Sequence, residues 1–430
     1  MARSDRTGDL FEPAPLPVAR LDDAGRLACL RLIRSENVGP VTFRELVNHF
    51  GGAQQALAAL PDIARRAGRR RPLVICPAAR AEAELDAARR QGVAPLFTIE
   101  PGYPAALAHL PAPPPLVYAK GRLDLLQQDA LAIVGARNAS AAGIAMARLI
   151  ASRCGKAGYA IVSGLARGID GAAHEAALAT GTIAVLAGGI DFVYPPEHAA
   201  LHARLAVEGC LVTEMPPGFQ PRGQDFPRRN RIISGLALGV VVVEAARRSG
   251  SLITAHAATE QGREVMAVPG HPLDARSEGP NSLLKQPGVT MVTSADDVLE
   301  VLAPMRGRRG SSAARAALED AMTWPLDDHG RPAYGPGAAI DAEPVRHEPP
   351  PADATRSKPL STPATATSEA TPIDAVLAVI GPAPTTLDEV ARATGFRIGD
   401  VRIALLELSL AGRVEHHGGQ LVSLRLPDRE

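Results

Sequence analysis

The middle of the chain contains seven short, continuously apolar runs, and these runs limit the folds open to it. They occupy residues 131–135, 160–164, 182–187, 210–214, 240–244, 264–268 and 289–293. An unbroken apolar run is typical of a strand buried on both faces, and the spacing between runs has room for one strand and one crossover helix. The segment therefore predicts an α/β fold with a Rossmann-like, doubly wound, mostly parallel sheet. Its ligands would bind beyond the carboxyl ends of the strands.

The composition allows several domains but does not point to a partner. A length of 430 residues suggests roughly two to four domains. Lys and Arg total 46, as do Asp and Glu, so a nucleic-acid interpretation must rest on a local basic cluster. The four cysteines, Cys29, Cys76, Cys154 and Cys210, lie far apart with no C-x-x-C motif. We expect buried thiols rather than a zinc or redox site.

The sequence also gives an expectation for the cellular location of the protein. Residues 1–17 carry acidic residues and prolines without an apolar run, which is unlike a signal peptide. No run of about 18 apolar residues is present, so we expect no membrane contact and a cytoplasmic location.

The amino-terminal third divides into three segments. Residues 1–20 are polar and proline-rich, and we expect disorder there. Residues 21–72 show helical periodicity around the tight turn Asn37 to Pro40, which predicts a helical domain of the SAM or helix-hairpin-helix class. Such a turn can offer backbone N–H groups to DNA phosphates, or it can be a plain packing module. Residues 73–120 are a predicted connector, with a strand at 95–99 and an edge strand at 116–118.

The remaining boundaries follow changes in composition. Residues 121–303 hold the predicted sheet, and residues 304–370 are rich in Gly, Ser, Pro and Thr and predict a flexible linker. Trp324 lies in that linker, outside any predicted core. Residues 371–426 show three helices and a hairpin around Gly418-Gly419, the pattern of a winged helix. DNA binding and protein interaction both remain open for this domain. The third helix, residues 398–410, is not strongly basic, so we favour protein interaction.

Two loops after predicted strands are suited to anions. Arg137 follows the first strand and Ser140 can cap the next helix, which favours a phosphate or an internal carboxylate. Residues 163–171 follow the second strand, and their three glycines let the backbone approach an anion. Asp170 can cap the helix that carries His174; a packed histidine is the favoured interpretation, and catalysis the alternative. Asp191, after the third strand, can contact a ribose or a cation, or structure its loop.

A third loop region is basic and aromatic. Residues 226–231 read Phe-Pro-Arg-Arg-Asn-Arg, in which Phe226 can stack on a base while arginines hold phosphates. Arg222 lies just upstream. Residues 249–251 read Ser-Gly-Ser at a helix start, where hydroxyl and N–H groups fit a phosphate, and Thr254 lies one turn further. No nucleophile–base pair, metal-ligand spacing or P-loop lysine is present, so we predict a non-catalytic binding protein without a metal or cofactor.

Taken together, these blocks resemble the DNA-processing protein A family, also called DprA or Smf. The resemblance is dense from Pro101 to about Leu302 and rests on residues 133–137, 163–170, 226–233 and 267–270 in this order. The flanking helical and winged-helix segments fit the family's three-part layout. The resemblance implies binding and protection of single-stranded DNA, homodimerisation, and loading of a RecA-type recombinase, as in natural transformation and DNA recombination.

The resemblance and the loop chemistry together give a set of DNA-binding residues. The predicted set is Arg137, Ser163, Gly164, Arg167, Gly168, Arg222, Phe226, Arg229, Asn230, Arg231, Ser249, Gly250, Ser251 and Thr254. Some relatives carry a basic residue three positions before the motif phenylalanine, where this chain has Gly223. A weakly predicted dimer face lies near 298–302.

Two other functions are alternatives. One is a Rossmann-like phosphoribohydrolase that binds nucleotides. The nearest stretch to its Pro-Gly-Gly-x-Gly-Thr block is residues 249–254, which lack that arrangement. The other is a DNA-binding regulator that acts through the winged helix.

Overall fold

The computed structural model describes residues 21–66, 71–307, 371–417 and 421–425. The predicted disordered start, most of the predicted linker with Trp324, and Gly418-Gly419 lie outside the described residues.

The described part of the chain begins with a helical domain, which extends beyond the predicted boundary at residue 72 because a fourth helix follows in the predicted connector. Its helices are α1 (Asp23–Ile33), α2 (Pro40–Phe50), α3 (Ala53–Arg66) and α4 (Ala78–Arg90). The side chain of Asp22 caps α1 by accepting the N–H of Gly25, and Pro40 takes the first position of α2, where its missing N–H costs nothing. Between them Asn37 has a φ of 58°, a left-handed conformation that asparagine tolerates better than most residues.

The central sheet has nine strands. They are β1 (Ala94–Phe97), β2 (Leu116–Gly121), β3 (Ala130–Val134), β4 (Ala160–Ser163), β5 (Thr182–Val185), β6 (Cys210–Thr213), β7 (Gly239–Val242), β8 (Glu264–Ala267) and β9 (Val289–Met291). The spatial order is β1-β2-β6-β5-β4-β3-β7-β8-β9. Only the β1–β2 and β2–β6 pairs are antiparallel. All seven predicted strands are therefore confirmed.

Helices cover both faces of this sheet. They are α5 (Ala105–Ala108), α6 (Ala141–Lys156), α7 (Ile169–Ala177), α8 (Ala199–Glu208), α9 (Asp225–Leu236), α10 (Gly250–Glu260), α11 (Glu278–Leu283) and α12 (Ala295–Leu302). In β3, Leu131 and Ile133 pack with α6, α7 and α12, whereas Ala130 and Ala132 pack with α9 and α10. Alternate residues of one strand thus enter two different cores, and this explains why the strand sequences are apolar without interruption.

Three expectations about this region are wrong. The strand at Leu116 is not an edge strand, because β2 lies between β1 and β6. The predicted connector contributes both β1 and β2, so the sheet begins before residue 121. Val298 and Leu302 are fully buried against α6 rather than exposed, which removes the predicted dimer face.

The carboxyl-terminal domain has the predicted winged-helix elements. They are α13 (Pro372–Val379), β10 (Thr385–Thr386), α14 (Leu387–Thr394), α15 (Ile398–Leu410), β11 (Val414–His417) and β12 (Leu421–Leu424). Thr386 and Glu389 form the capping box that starts α14, and Gly395 ends it at a φ of 72°.

Two further observations concern the described ranges only. All four cysteines are free and buried, as expected. No helix there is long and apolar enough to cross a membrane, and no group of three or more potential metal-ligating side chains occurs among those residues.

Candidate nucleic-acid interface

An open cleft lies beyond the carboxyl ends of the parallel strands. Residues that follow three neighbouring strands line it: Arg137 after β3, Gly164 and Ala166 after β4, and Leu186 to Gly188 after β5. Parallel strands deliver their following loops to one edge of the sheet, so residues far apart in sequence meet here. The remaining lining residues are Phe192, Tyr194, Pro221, Phe226 and Arg229.

Aromatic rings form one wall of this cleft. Phe226, in the first turn of α9, and Tyr194 have ring centroids 5.3 Å apart at an interplanar angle of 61°. The guanidinium of Arg137 lies 5.8 Å from the centroid of the Phe226 ring, within cation–π range. The whole chain has 8 Phe, 5 Tyr and 1 Trp, yet Phe192 also lines this cleft. Such a concentration in an aromatic-poor chain offers stacking surfaces to bases.

Exposed arginines occur in the loops that form this cleft: Arg137 lines it, and Arg222 directly follows the lining residue Pro221. Arg137, Arg222 and Arg228 are exposed, and none forms an ion pair among the described residues. Arg167 pairs with Glu197 at 2.7 Å, but both side chains are more than half exposed. An exposed pair contributes only about 0–1 kcal/mol, so a phosphate can compete with Glu197 for Arg167.

Arg229 differs from its neighbour Arg228 because it is buried. Its Nη1 donates to the carbonyl of Gly164 at 2.8 Å and to that of Val185. Burial lowers the pKa of Arg229 to about 10, although Asp170 opposes this shift. The guanidinium thus ties the end of β4 to the end of β5. Arg229 also lines the cleft, and its contact with DNA stays a prediction.

The glycine-rich loop after β4 donates hydrogen bonds to a carboxylate of the protein itself. Asp170, at the start of α7, accepts the N–H of Gly164 at 3.1 Å and that of Ala166 at 3.3 Å. The carboxylate therefore organises the preceding loop rather than capping the helix. Gly168 is required for a different reason, since a Cβ there would lie 2.3 Å from the carbonyl oxygen of Ala136. The loops after β3 and β4 touch at this point.

A second carboxylate occupies the helix start after β3. The strand order reverses between β3 and β7, and such a switch point is where Rossmann-like sheets bind phosphates. Here Glu244, which follows β7, accepts the N–H of Ser140 at 2.9 Å and also its hydroxyl proton at 2.5 Å. A Cβ on Gly143 would lie 2.5 Å from the Glu244 carboxyl carbon. The protein's own carboxylate thus stands where a small phosphate would be expected.

Replacing Glu244 tests the structural part of this arrangement. We expect Glu244→Ala to lower the free energy of unfolding by about 1–3 kcal/mol, because the N–H and hydroxyl of Ser140 lose a charged acceptor. Urea denaturation of the full chain measures the effect. Glu260→Ala, at an exposed acid on α10, is the matched control and should unfold at the wild-type midpoint. Equal midpoints for the two variants would show that Glu244 does not hold the start of α6.

Several other predicted site residues are engaged inside the protein. Ser163 donates to Ile133, Ser251 donates to Gly135, and Thr254 is 1% exposed. The amide of Asn230 donates to Gly250 at 3.0 Å. These side chains are engaged or buried inside the protein, and their contact with DNA stays a prediction.

The remaining members of the set are not among the residues that line the cleft. Arg231 is partly exposed and is held by Glu214 and the carbonyl of Ala112. Ser249 caps α10. Gly250 is exposed, and a Cβ added to it would meet no atom within 4 Å. Contact of any of these residues with DNA stays a prediction.

His174 and Asp191 both have structural surroundings. His174 is fully buried, and its Nδ1 lies 2.7 Å from the hydroxyl of Thr182, which itself donates to Ile161. Asp191 accepts the N–H of Gly218 at 2.8 Å and the amide of Gln91 at 3.2 Å. The packed-histidine and loop-structuring interpretations fit these contacts.

His174 gives a pH-dependent prediction. Burial lowers the pKa of His174 to about 3 from an ordinary value of 6.5. The unfolded chain therefore takes up a proton at this residue before the folded chain does. The stability that His174 contributes is present above pH 6.5 and is lost as the pH falls towards 3. We expect urea midpoints to fall between pH 7 and about 4.5 more steeply in the wild type than in His174→Gln. Parallel curves would contradict a neutral buried His174.

Sequence reasoning missed some residues that the structure places at this edge. Phe192 and Tyr194 line the cleft, and neither was among the predicted DNA-binding residues. Arg247 and Arg248 are exposed in the loop after β7, next to the Ser-Gly-Ser stretch. The sequence did offer one signal for these two residues. Aromatic residues are scarce in this chain, and Phe192 and Tyr194 lie within three positions of each other.

Three family profiles match consecutive parts of the chain. The profile described as a DprA-like N-terminal HHH domain matches residues 23–87. The profile of DNA recombination-mediator protein A matches residues 95–303. The DprA winged helix domain matches residues 359–420.

Individual relatives agree with these matches. The chain is 38% identical over 326 residues to Protein Smf of Escherichia coli, which covers 75% of each chain. It is 43% identical over 221 residues to the DNA processing protein DprA of Bacillus subtilis, or 51% of this chain and 74% of that one. The X-ray structure of DNA processing protein A from Streptococcus pneumoniae superposes with a TM-score of 0.53 at 35% identity. It covers 63% of this chain and 95% of that one.

Proposed function

Because the chain belongs to the DNA recombination-mediator protein A family, we propose that it binds single-stranded DNA in the cleft beyond β3, β4 and β5. It protects the bound strand and loads a RecA-type recombinase onto it, in DNA recombination and in natural transformation. It acts in the cytoplasm as a homodimer and as a non-catalytic mediator.

One observation carries the proposal: an aromatic wall and the exposed guanidinium of Arg137 line one open cleft, and Arg222 directly follows another lining residue, Pro221. Phe226 and Tyr194 offer ring faces, and every base has a π-face, so stacking there is tolerant of sequence. Arg137 and Arg222 are exposed and supply charge for the phosphates between stacked bases. Paired bases in a duplex have no free faces, so the cleft favours single strands.

The test is fluorescence-anisotropy titration of the full chain with single-stranded and double-stranded oligonucleotides of one sequence, across a salt series. We expect a strong preference for the single strand and affinity that falls with salt. Arg137→Ala should weaken binding and reduce the salt slope by about 0.7, the loss of one phosphate contact.

Arg148→Ala is the matched control. Arg148 is a comparably exposed arginine on α6 that pairs with Glu175 at 3.0 Å, so its loss should leave both affinity and slope unchanged. Equal affinity of Arg137→Ala and wild type would remove the cleft from the proposal. Equal binding of single and double strands would remove the strand preference.

Loading and dimerisation have their own measurements. Recombinase loading predicts faster RecA filament growth on DNA coated with single-strand-binding protein when this chain is added, with a reduced effect in Arg137→Ala. Sedimentation velocity measures the dimer. The alternative of a nucleotide-hydrolysing enzyme is less well supported, because Glu244 and Asp170 hold the two loops that a nucleotide phosphate would need.

A further inference from the structure

The third helix of the winged-helix domain, α15, is apolar on two sides. Val401, Leu405 and Leu408 enter the core of their own domain. Leu406 and Leu410, four residues apart and thus on one face, enter the core cluster of the N-terminal helices instead. They are 4% and 0% exposed. One helix therefore completes two cores.

Polar contacts fix the position of this second face. The amide of Asn37 donates to the carbonyl of Leu410 at 2.9 Å, in the last helical turn, where carbonyls lack intrahelical donors. Arg66, at the end of α3, lies 3.5 Å from Glu407, whose side chain is 8% exposed. Burial raises the pKa of the Glu407 carboxyl, and the nearby Arg66 opposes this rise. The contact thus combines apolar burial, a helix-end hydrogen bond and a charge pair.

We propose that α15 is a docking helix for the N-terminal helical domain of the same chain, and that this contact withdraws α15 from duplex DNA. In helix-turn-helix proteins the corresponding helix lies in the major groove. Here the face that carries Leu406 and Leu410, in the carboxyl-terminal half of the helix, is covered by α2 and α3, whereas residues 398–400, 402 and 403 are exposed. Its charges also balance, because Arg397 and Arg402 stand against Asp400 and Glu407, whereas binding to duplex DNA needs net positive charge.

The same contact involves the turn of the N-terminal hairpin. Asn37 lies in that turn, and Gly412, just after α15, is so close that a Cβ on it would lie 3.2 Å from the Asn37 amide nitrogen. Residues 308–370 separate the two described parts. At about 3.5 Å per extended residue they are long enough for contact within one chain. The inference holds whether or not the cleft binds single-stranded DNA.

Hydrogen-exchange mass spectrometry of the full chain tests the docking. Leu410→Asp places a charge in the contact, and we expect amides of residues 37–66 to exchange at least about tenfold faster than in the wild type. Ile403→Asp is the matched control: Ile403 is on the same helix, 40% exposed, and in neither core cluster. Wild-type exchange in Leu410→Asp would overturn the docking.

A charge swap covers the case in which Leu410→Asp disturbs folding more widely. Arg66→Glu and Glu407→Arg should each speed exchange in residues 37–66, and the double variant should restore it towards wild type. Equal exchange in all three variants and the wild type would also overturn the docking.

Two further conditions test the remaining parts of the proposal. Adding a duplex of about 20 base pairs, roughly two helical turns, should leave wild-type exchange in residues 37–66 unchanged; faster exchange would show that DNA extracts α15. Dilution should also leave protection unchanged. Protection lost on dilution would mean that α15 docks on a second copy, against the proposal.

Discussion

Phe226→Ala is expected to weaken single-stranded DNA binding by about 5- to 150-fold, the equivalent of about 1–3 kcal/mol for one lost base–aromatic stack. Phe226 contributes a ring face and no charge. The salt dependence should therefore keep the wild-type slope while the whole curve moves to lower affinity. Anisotropy at three or more salt concentrations separates this result from that of Arg137→Ala, which should change the slope.

Two further variants test whether the loss of affinity comes from the aromatic wall. Tyr194→Ala removes the ring that contacts Phe226 at 5.3 Å, so its effect should be in the same direction. Phe226→Tyr retains a ring of similar size and should bind almost as the wild type does. If Phe226→Ala bound with unchanged affinity, stacking on this residue would have to be abandoned.

The second large effect concerns two adjacent arginines with opposite roles. Arg229→Ala should lower the free energy of unfolding by about 3–5 kcal/mol. It removes the donor shared by Gly164 and Val185. It also leaves the carboxyl of Asp170, whose pKa is raised by burial, without the cation that opposes this rise. Denaturant unfolding of the full chain measures this loss.

Arg228→Ala is the matched control, because Arg228 is exposed and forms no ion pair among the described residues. Its unfolding midpoint should stay close to that of the wild type, while its affinity for single-stranded DNA falls. A stable Arg229→Ala chain with weakened DNA binding would reverse the assignment and make Arg229 a DNA ligand.

Much of the fold follows from local sequence patterns. The seven parallel strands, the helices between them and the winged-helix elements are all set by periodicity, capping residues and glycines within a few positions. Thr386 and Glu389 form their capping box in the structure because both partners lie within one helical turn. The candidate site was located for the same reason, since loops after parallel strands must gather at one edge of the sheet.

What the sequence by itself determined, then, is the order of elements and the edge at which polar and basic loops collect. The tertiary structure decided which of those groups remain free. Ser140 and Glu244 are 104 residues apart, and only the pairing of β3 with β7 brings the carboxylate to the helix start. Arg228 and Arg229 are identical in type, and only the packing of α9 buries one and exposes the other. Local patterns cannot encode such choices, because each depends on which distant atoms arrive within hydrogen-bonding distance.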